Sequence, residues 1–530
     1  MENRIRVLIA DGLAKEGIAI LQQNSKIELL AFEAIDRLEL KEKLSQIDIL
    51  IVRSRTQVDK DLLETARHLK LVLRAGIGLD NVDVPAATDV GIVVMNAPTG
   101  NIVTTAEHTL AMIFAVSRHI PQADATLRSG KWEKKRFQGN ELRGKTLALL
   151  GLGNIGRTVA VKALGLGMRV IAHDPYVNSE AAAKQKIHLV GMEELLAEAD
   201  YLSVHVPLLK TTHHLINRTV LRKMKKGSYL INCARGGIVD ETALLEVLAE
   251  KHLAGAALDV FETEPIPANS PLLQCQDLVL TPHLGASTEE AQVQVSLEVA
   301  DQIALYVEQG VLKNAINVPN VPLEQLNIIK PYVQLCEKLG SFATQVGPQN
   351  VKKIRVHFEG EISGHNKELL TLSVLKGFLA PILFTTVNFV NARKLLKERG
   401  IRVEESFEEE CTDYNSRVEL TLLGDTPFSC TGTLFGKEGP RIIGIDHFNI
   451  DAIPTGHLLY TKNIDEPGVI GSMGTLLGAH GVNIARMHLG RDPKKSEAIA
   501  LINIDSEPSA SALEALRNTK GMLSVKAIKI

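Results

Sequence analysis

Residues 146–174 read TLALLGLGNIGRTVAVKALGLGMRVIAHD, and this stretch decides the fold. Its first five residues, 146–150, form the short apolar run of a buried parallel strand. A glycine-rich turn follows at once, and a helix is predicted to continue to about Gly165. The next strand is predicted at residues 168–172. A strand, a turn, a helix and a second strand make one βαβ unit, so the sequence predicts a doubly wound parallel sheet.

The turn contains three glycines at the spacing GxGxxG, a motif that is informative only between a strand and a helix. In that context Gly151 makes the tight turn, Gly153 lets a pyrophosphate approach the backbone, and Gly156 packs the helix against the strand. The phosphates then rest on the helix N-terminus, at the free N–H groups of Asn154 and Ile155. The turn therefore predicts a dinucleotide-binding site, and a purely structural glycine-rich turn is the alternative.

Asp174 follows the second strand of this unit. A carboxylate at this place binds both hydroxyls of the adenosine ribose and repels a 2′-phosphate. Arg157 lies inside the helix rather than after the strand, so it does not favour the phosphorylated cofactor. The pattern predicts NAD rather than NADP; an aspartate that only caps a helix is the alternative.

Strand and helix signals alternate through the first 318 residues. Parallel strands are predicted at 7–10, 47–52 and 71–73 in a first domain, and at 201–206, 229–232, 256–260 and 278–281 in a second. A capping-box pattern at residues 104–107 predicts that a linking helix begins there. We expect a substrate-binding domain at residues 1–97 plus 289–318 and an NAD-binding domain at residues 98–288.

The C-terminal part carries no nucleotide-binding signature. Pro319 and Pro322 mark a linker, and residues 319–452 mix strands and helices. Residues 453–530 follow the order β-α-β-β-α-β, which is ferredoxin-like. The predicted fold class is α/β, with two Rossmann-like parallel-sheet domains followed by two α+β domains.

Composition excludes several classes of function. A net charge of −3 gives no electrostatic reason to expect nucleic acid or an anionic membrane as partner. The five cysteines are odd in number and include no CxxC pair, which argues against a disulfide framework or a zinc site and suits a reducing compartment. Neither a cationic leader nor an uninterrupted apolar spanning segment is visible. We expect a cytoplasmic protein without a metal.

Three polar residues stand just past predicted strand ends, where dinucleotide enzymes of this architecture place their chemistry. They are Arg235, Glu264 and His283. Oxidising a secondary alcohol needs a base for the hydroxyl proton, and histidine, with an unperturbed pKa of about 6.5, suits this task. A neighbouring carboxylate orients the ring and stabilises its charged form. A guanidinium clamps the carboxylate of a 2-hydroxy acid with two parallel hydrogen bonds.

Each of these residues has a plainer alternative. Arg235 alone could form a surface ion pair, and Glu264 could merely begin a turn. Most of the sixteen histidines are expected to be surface or packing residues, and His108, His213 and His214 show nothing better. Three such residues at strand ends beyond a nucleotide-binding turn nevertheless favour catalysis.

Three motifs, at residues 151–156, 232–237 and 281–288, resemble the signatures of the D-2-hydroxyacid dehydrogenase family. The resemblance implies an Arg-Glu-His catalytic set on the three residues above. It also implies that Asp259 holds the nicotinamide amide and that His205 and Pro207 lie in a loop against the cofactor. Further cofactor contacts are implied at Cys233, Ala234, Arg235, His283 and Gly285.

The loops of the first domain supply cations near this centre. Arg53 and Arg74 follow two of its strands, and guanidinium groups suit a substrate with a phosphate as well as a carboxylate. A salt-bridged surface rim is the alternative. Backbone N–H groups of the loop at Gly76 and Ile77 are further candidates for binding a carboxylate. The loops resemble the branch of the family that acts on 3-phosphoglycerate, which implies substrate contacts at Arg53, Arg74 and Asn101.

The last domains extend the resemblance to essentially the whole chain. Residues 463–469 and 481–484 look like an ACT domain, a module that pairs edge to edge and binds amino acids at the joint. Asp465 and Asn483 match effector positions, which implies L-serine as ligand; a purely structural ACT domain is the alternative. Residues 372–377 and 387–392 resemble the extra allosteric substrate-binding domain of long family members.

The resemblance implies an NAD-dependent oxidation of D-3-phosphoglycerate, the first step of phosphorylated L-serine synthesis, by a homo-oligomer. One alternative is a sister enzyme that reduces 2-oxoglutarate, hydroxypyruvate or glyoxylate. The other is a protein without enzymatic activity, an NAD-sensing co-repressor built on the same scaffold.

Overall fold

The computed structural model describes residues 4–319, 323–383, 387–436, 439–492, 494 and 496–530. Four β-sheets follow one another along these residues, two with parallel strands and two mixed or antiparallel. The predicted fold class is thereby confirmed.

The first sheet has five parallel strands in the order β2-β1-β3-β4-β5. Its strands and the helices between them are β1 (Ile5–Ile9), α1 (Lys15–Gln23), β2 (Ile27–Ala31), α2 (Arg37–Leu44), β3 (Ile49–Val52), α3 (Lys60–Thr65), β4 (Leu71–Arg74), α4 (Val84–Asp89) and β5 (Val93–Asn96). The central strands β3 and β4 are almost wholly buried apolar runs, as expected for a parallel sheet covered on both faces.

Helices α5 (Ile102–Arg118) and α6 (Ile120–Arg128) link the first sheet to the second. The predicted helix start at residues 104–107 is wrong, because Asn101 already occupies the N-cap position of α5. The carbonyl of Asn101 accepts hydrogen bonds from both the N–H and the hydroxyl of Thr105. Thr104 lies inside the helix, and its hydroxyl contacts that of Thr288 at 3.1 Å instead of capping.

The second sheet has seven parallel strands in the order β12-β11-β10-β9-β6-β7-β8. Its elements are β6 (Thr146–Leu150), α7 (Asn154–Gly165), β7 (Arg169–His173), α8 (Ser179–Lys184), β8 (His188–Leu189), α9 (Met192–Glu198), β9 (Tyr201–Val204), α10 (Arg218–Lys223), β10 (Tyr229–Asn232), α11 (Glu241–Ala249), β11 (Gly255–Leu258) and β12 (Leu278–Leu280). The chain reverses its direction of winding between β6 and β9, and a ligand crevice forms outside the carboxyl ends of strands at such a point.

Helix α12 (Glu289–Gln309) returns to the first sheet. It packs on α1, where the Ser296 hydroxyl donates a hydrogen bond to the carbonyl of Ala14 at 3.1 Å. Gly17 faces Ser296 so closely that a Cβ there would collide with the Ser296 backbone. Val299 and Ile303 of α12 join the apolar core of the first sheet.

The third sheet has six strands in the order β14-β13-β15-β16-β17-β18 and is covered by two helices, α13 and α14. Its elements are α13 (Leu323–Val346), β13 (Lys353–Gly360), α14 (Lys367–Leu379), α15 (Ala392–Glu398), β14 (Arg402–Glu408), β15 (Ser416–Leu423), β16 (Pro427–Phe435), β17 (Gly439–Ile445) and β18 (Phe448–Ala452). Of the predicted linker, only Pro319 is among the described residues.

The fourth sheet has four antiparallel strands in the order β20-β21-β19-β22. Its elements are β19 (His457–Ile464), α16 (Val469–Ala479), β20 (Ile484–Asp492), β21 (Glu497–Ile504), α17 (Ala510–Arg517) and β22 (Met522–Lys529), which confirms the ferredoxin-like order. Leu458, Tyr460 and Leu501 of this sheet belong to the same apolar core as the third sheet. The last two sheets are thus packed together.

Within the described ranges, no helix has both the length and the apolar character needed to cross a membrane. The five cysteines are all free thiols.

Candidate active site

His283 and Glu264 form a hydrogen-bonded pair beyond the carboxyl ends of β11 and β12. The Nδ1 atom of His283 lies 2.6 Å from the Glu264 carboxylate. The His283 N–H donates to the carbonyl of Asp259 at 2.9 Å, which holds the histidine backbone in the left-handed region, at φ 54°. Since Glu264 binds Nδ1, it fixes the ring and leaves Nε2 as the nitrogen that could exchange a proton with a bound molecule.

Glu264 itself is held by the chain. Its second oxygen accepts a hydrogen bond from the N–H of Phe261 at 3.0 Å. Burial raises the pKa of Glu264, but the hydrogen bonds from His283 and Phe261 lower it, and the lowering prevails. The carboxylate therefore stays ionised and can stabilise an imidazolium as it forms.

Arg235 follows β10, and the Asn232 side chain stabilises that turn by bonding the Ala234 N–H and the Arg235 carbonyl. The guanidinium of Arg235 reaches across to the first domain, where its Nε donates to Asp80 at 2.7 Å. Nη1 donates to the Ala234 carbonyl at 2.6 Å. A Cβ at Gly236 would collide with the Phe261 carbonyl, so this glycine brings the loops of Arg235 and Glu264 together.

Arg74 lies beside Arg235 in the cleft between the first two sheets. Burial, with the positive charges of Arg235 and Arg53, lowers the pKa of Arg74 to about 10, although Asp80 acts in the opposite direction. Arg74 is thus close enough to Arg235 and Arg53 to be affected by both charges, and the three form one cationic cluster. An anion bound there would relieve their repulsion.

The loop at residues 76–78 lies directly on this cluster. A Cβ at Gly76 would collide with the guanidinium of Arg74, and a Cβ at Gly78 with that of Arg235. Gly76 also has φ 142°, a conformation that favours glycine. The sequence predicted a loop here, and the structure confirms it: these glycines allow two guanidinium groups to approach the backbone of Ile77 and its neighbours.

Arg53 and Asn101 lie at the borders of the same cleft. Arg53 lines a cavity of about 590 Å³ together with Ser287, Thr288 and Gln292, next to the N-terminus of α12. Asn101 is 9% exposed, and within the described residues its Oδ1 atom has no hydrogen-bond partner. Both positions are compatible with the predicted substrate contacts, which stay predictions.

The glycine turn after β6 fits a pyrophosphate. Gly151 has φ 100°, and a Cβ there would lie 2.6 Å from the His205 carbonyl. A Cβ at Gly156 would collide with the Gly151 carbonyl, whereas one at Gly153 would meet open space. No side chain caps α7, which begins at Asn154 and continues with Ile155. The first and third glycines thus serve packing, and the second leaves room for phosphates above free N–H groups.

Asp174 is fixed next to this turn. Its carboxylate accepts hydrogen bonds from the N–H groups of Leu152, at 2.8 Å, and Tyr176, at 2.9 Å. Asp174 does not cap a helix, because the next helix, α8, begins at Ser179 and has Asn178 as its N-cap. The carboxylate stands where the adenosine ribose of a dinucleotide would lie.

The remaining predicted cofactor residues surround the same crevice. Burial lowers the pKa of His205 to about 4, so the ring is neutral, and its Nε2 lies 2.9 Å from the Ser203 hydroxyl. Pro207 follows on the loop after β9, and its carbonyl accepts from Thr212 at 2.6 Å. Burial raises the pKa of the Cys233 thiol, which therefore stays protonated.

Asp259 is completely buried and organises the catalytic loop. Its carboxylate accepts hydrogen bonds from the Thr281 hydroxyl and from the N–H groups of Leu284 and Gly285. His108 adds a contact at 3.1 Å. The predicted bond from Asp259 to the nicotinamide amide stays a prediction.

Two residues with clear roles in this geometry were not predicted. Asp80 pairs with Arg235, and its only sequence signal is an acidic residue in the loop that follows the Gly76 turn. His108 was predicted to be a surface or packing residue, and its contact with Asp259 at 3.1 Å was not part of that prediction. Its signal in the sequence was weak, since it lies inside a helix far from any motif.

The two predicted effector residues lie far apart. Asp465 follows the end of β19 that pairs with Glu497, whereas Asn483 precedes β20 at the end of the sheet that pairs with Ile504. The eight residues between these ends of β21 span about 25 Å. One copy of the chain therefore cannot bring both residues to the same small ligand.

Three stretches of the chain match described families. Residues 110–285 match the NAD binding domain of the D-isomer specific 2-hydroxyacid dehydrogenases. Residues 328–446 match the D-3-phosphoglycerate dehydrogenase intervening domain, and residues 457–521 match the ACT domain.

Two full-length relatives of similar sequence share the name D-3-phosphoglycerate dehydrogenase. The chain is 41% identical over 526 residues to the D-3-phosphoglycerate dehydrogenase of Bacillus subtilis, with 99% of each chain covered. It is 40% identical over 528 residues to that of Methanocaldococcus jannaschii, covering 99% of this chain and 100% of the relative. A D-lactate dehydrogenase from Aquifex aeolicus, solved with NAD and lactic acid, matches with 27% identity and a TM-score of 0.53 over 59% of this chain and 100% of its own.

Proposed function

This chain belongs to the D-3-phosphoglycerate dehydrogenases of the D-isomer specific 2-hydroxyacid dehydrogenase family, and we propose that it oxidises D-3-phosphoglycerate to 3-phosphohydroxypyruvate with NAD. The observation that carries this proposal is the His283–Glu264 pair beside a cluster of three arginines, next to a turn that fits a dinucleotide. A co-repressor without catalytic activity would not need such a pair.

Each side chain has a task that follows from its position. His283 takes the proton of the substrate hydroxyl on Nε2, while Glu264 stabilises the resulting imidazolium through Nδ1. Arg235 binds the carboxylate and polarises the developing carbonyl. The turn at Gly153 and the carboxylate of Asp174 would hold NAD, which would supply the acceptor for the hydride from C2, so that the products would be the 2-keto acid, NADH and one proton.

The phosphate of the substrate has a matching environment on the first domain. Arg53 and Arg74 supply guanidinium groups, and the Gly76–Ile77 backbone together with Asn101 supplies polar groups at the cleft. We assign the first domain, residues 1–97 plus 289–318, to substrate and residues 98–288 to NAD. Closure of the cleft between them would exclude water from the reaction.

The test is a comparison of substrates. Formation of NADH or NADPH is measured with 3-phosphoglycerate, D-glycerate, D-lactate and D-2-hydroxyglutarate, each with NAD and with NADP. We expect kcat/KM to be highest with 3-phosphoglycerate, because only this acid offers a phosphate to the arginine cluster, and with NAD, because Asp174 repels a 2′-phosphate. Activity confined to an unphosphorylated acid would overturn the substrate assignment and keep the family.

We further propose that the ACT domain binds L-serine between two copies of the chain. Strand β20 is an edge strand, and it runs from Asn483 to the end at which Arg491 pairs with Asp465 at 2.7 Å. If two copies of β20 pair antiparallel about a two-fold axis, Asn483 of one copy lies beside Asp465 of the other. This arrangement supports a homo-oligomer in which each joint completes a ligand site.

Calorimetry tests the effector. Titration with L-serine should give saturable heat at millimolar concentration, with D-serine as control, because a carboxylate and an amide recognise the amino acid stereospecifically. Asp465→Ala should abolish the heat. Absence of heat with the unsubstituted chain would leave the ACT domain a structural module.

The free thiols suit a reducing compartment, so a cytoplasmic location remains our proposal.

A further inference from the structure

Asp259 fixes the backbone of the catalytic histidine and of the two residues that follow it. Its oxygens accept the N–H groups of Leu284, at 2.7 Å, and Gly285, at 2.8 Å, the two residues that follow His283. The Asp259 carbonyl accepts the N–H of His283 itself. The residue that follows β11, Asp259, therefore fixes the position of the His283 ring.

A completely buried carboxylate is stable only if donors surround it. Of the four donors around Asp259, His108 alone can carry a full positive charge; its Nε2 lies 3.1 Å from Asp259 Oδ1. Burial raises the pKa of Asp259, but hydrogen bonds from His108, Thr281 and Leu284 lower it, and the lowering prevails. His108 thus helps to keep the carboxylate ionised and in place.

A second residue of α5 reaches the same loop. The Thr105 hydroxyl lies 2.9 Å from the carbonyl of Gly285 and 2.9 Å from that of Asn101. Asn101, Thr105 and His108 are spaced by four and three positions, so they share one face of the helix. That face of α5 contacts the loop at residues 281–285 twice: Thr105 contacts Gly285 directly, and His108 contacts Asp259, which in turn binds the loop.

We propose that His108, with Thr105, is a positioning residue for the reaction: it places His283 by holding Asp259 and the loop at residues 281–285. This inference rests on the proposed function, since it concerns the same histidine. The physical reason for an effect on rate is that proton transfer requires hydrogen-bond distance and alignment, and a misplacement of about 1 Å can cost about 100-fold.

Three substitutions separate the hydrogen bond from the volume of the ring. His108→Leu keeps an apolar side chain of similar bulk and removes the donor. His108→Gln places an amide nitrogen near the position of Nε2, whereas His108→Asn places one near Nδ1. We expect kcat to fall about 10- to 100-fold in His108→Leu and His108→Asn, and His108→Gln to recover to within about 3-fold of the parent.

A matched control removes a similar bond at the opposite end of the same strand. His252 Nε2 lies 3.0 Å from the Met224 carbonyl, before the start of β11. His252→Leu should lower the melting temperature like His108→Leu and leave kcat near that of the parent. All rates are divided by the concentration of protein that binds NADH, measured by fluorescence, so that poor folding does not imitate a loss of rate.

The decisive readout is a double-mutant cycle. If His108 acts through His283, His108→Leu should lower kcat in the parent and have little further effect in a His283→Ala background. Equal losses in both backgrounds, or no rescue by glutamine, would overturn the inference. The proposed function is tested separately, because its failure would be seen as lack of 3-phosphoglycerate oxidation by the unsubstituted chain.

Discussion

Replacing His283 with alanine is expected to lower kcat for 3-phosphoglycerate oxidation about 1,000-fold, since a positioned general base contributes about 10²- to 10⁴-fold. The substitution removes the ring that Glu264 orients through a contact of 2.6 Å, and it leaves the hydroxyl proton to water. The KM for NAD should change little, because the glycine turn and Asp174 remain intact. Steady-state kinetics with both substrates varied would measure the two effects.

The chain offers a matched control for this substitution. His214 also has a left-handed backbone, at φ 49°, and its ring lies 3.0 Å from a carboxylate, that of Glu262. His214→Ala therefore removes a similar pair but keeps the His283–Glu264 pair and Arg235, and kcat should stay near the parent value. If His283→Ala retained more than about one tenth of the parent kcat, the role of general base would have to be given up.

The central strands of the second sheet were predictable because each can be recognised from its own residues, without information from the rest of the chain. Residues 229–232 were predicted to be a strand, and β10 has the same bounds, since a short run of mostly apolar residues is typical of a strand in a parallel sheet covered on both faces. The GxGxxG turn was predictable because its spacing between a strand and a helix is itself a sequence signal, although the carbonyl that a Cβ at Gly151 would meet belongs to the distant His205. Strands at sheet edges lacked this signal: β2 is mostly exposed, and β8 has two residues.

The candidate catalytic residues were predictable as a set, but the residues that hold them in place were not. A strand end marks where Arg235, Glu264 and His283 begin, and the topology then brings the three ends to one edge of the sheet. The partner Asp80 lies 155 positions before Arg235, and His108 lies 151 positions before Asp259. Such contacts depend on how two domains and a linking helix are placed, which no local pattern encodes.

Replacing Arg235 with lysine is expected to lower kcat/KM for 3-phosphoglycerate about 1,000-fold, although the charge is kept. Two of the five N–H donors of the guanidinium are already used, by Asp80 at 2.7 Å and by the Ala234 carbonyl at 2.6 Å. The three that remain lie on Nη1 and Nη2, the end of the group that takes a carboxylate with two parallel hydrogen bonds. One ammonium group cannot hold Asp80 and the substrate in this geometry.

The loss should appear mostly as a higher KM for the acid together with a lower kcat, because the same group binds the carboxylate and polarises the carbonyl. Arg222→Lys is the control: its guanidinium contacts both oxygens of Glu250, at 2.7 and 2.8 Å, on the surface of the same domain. That substitution should leave kcat/KM unchanged. If Arg235→Lys kept kcat/KM within about 10-fold of the parent, this would exclude the hypothesis that Arg235 binds the substrate carboxylate through two parallel hydrogen bonds. The carboxylate would then have to be bound by Arg74, whose buried Nε atom has no partner within the part of the chain that the structure describes.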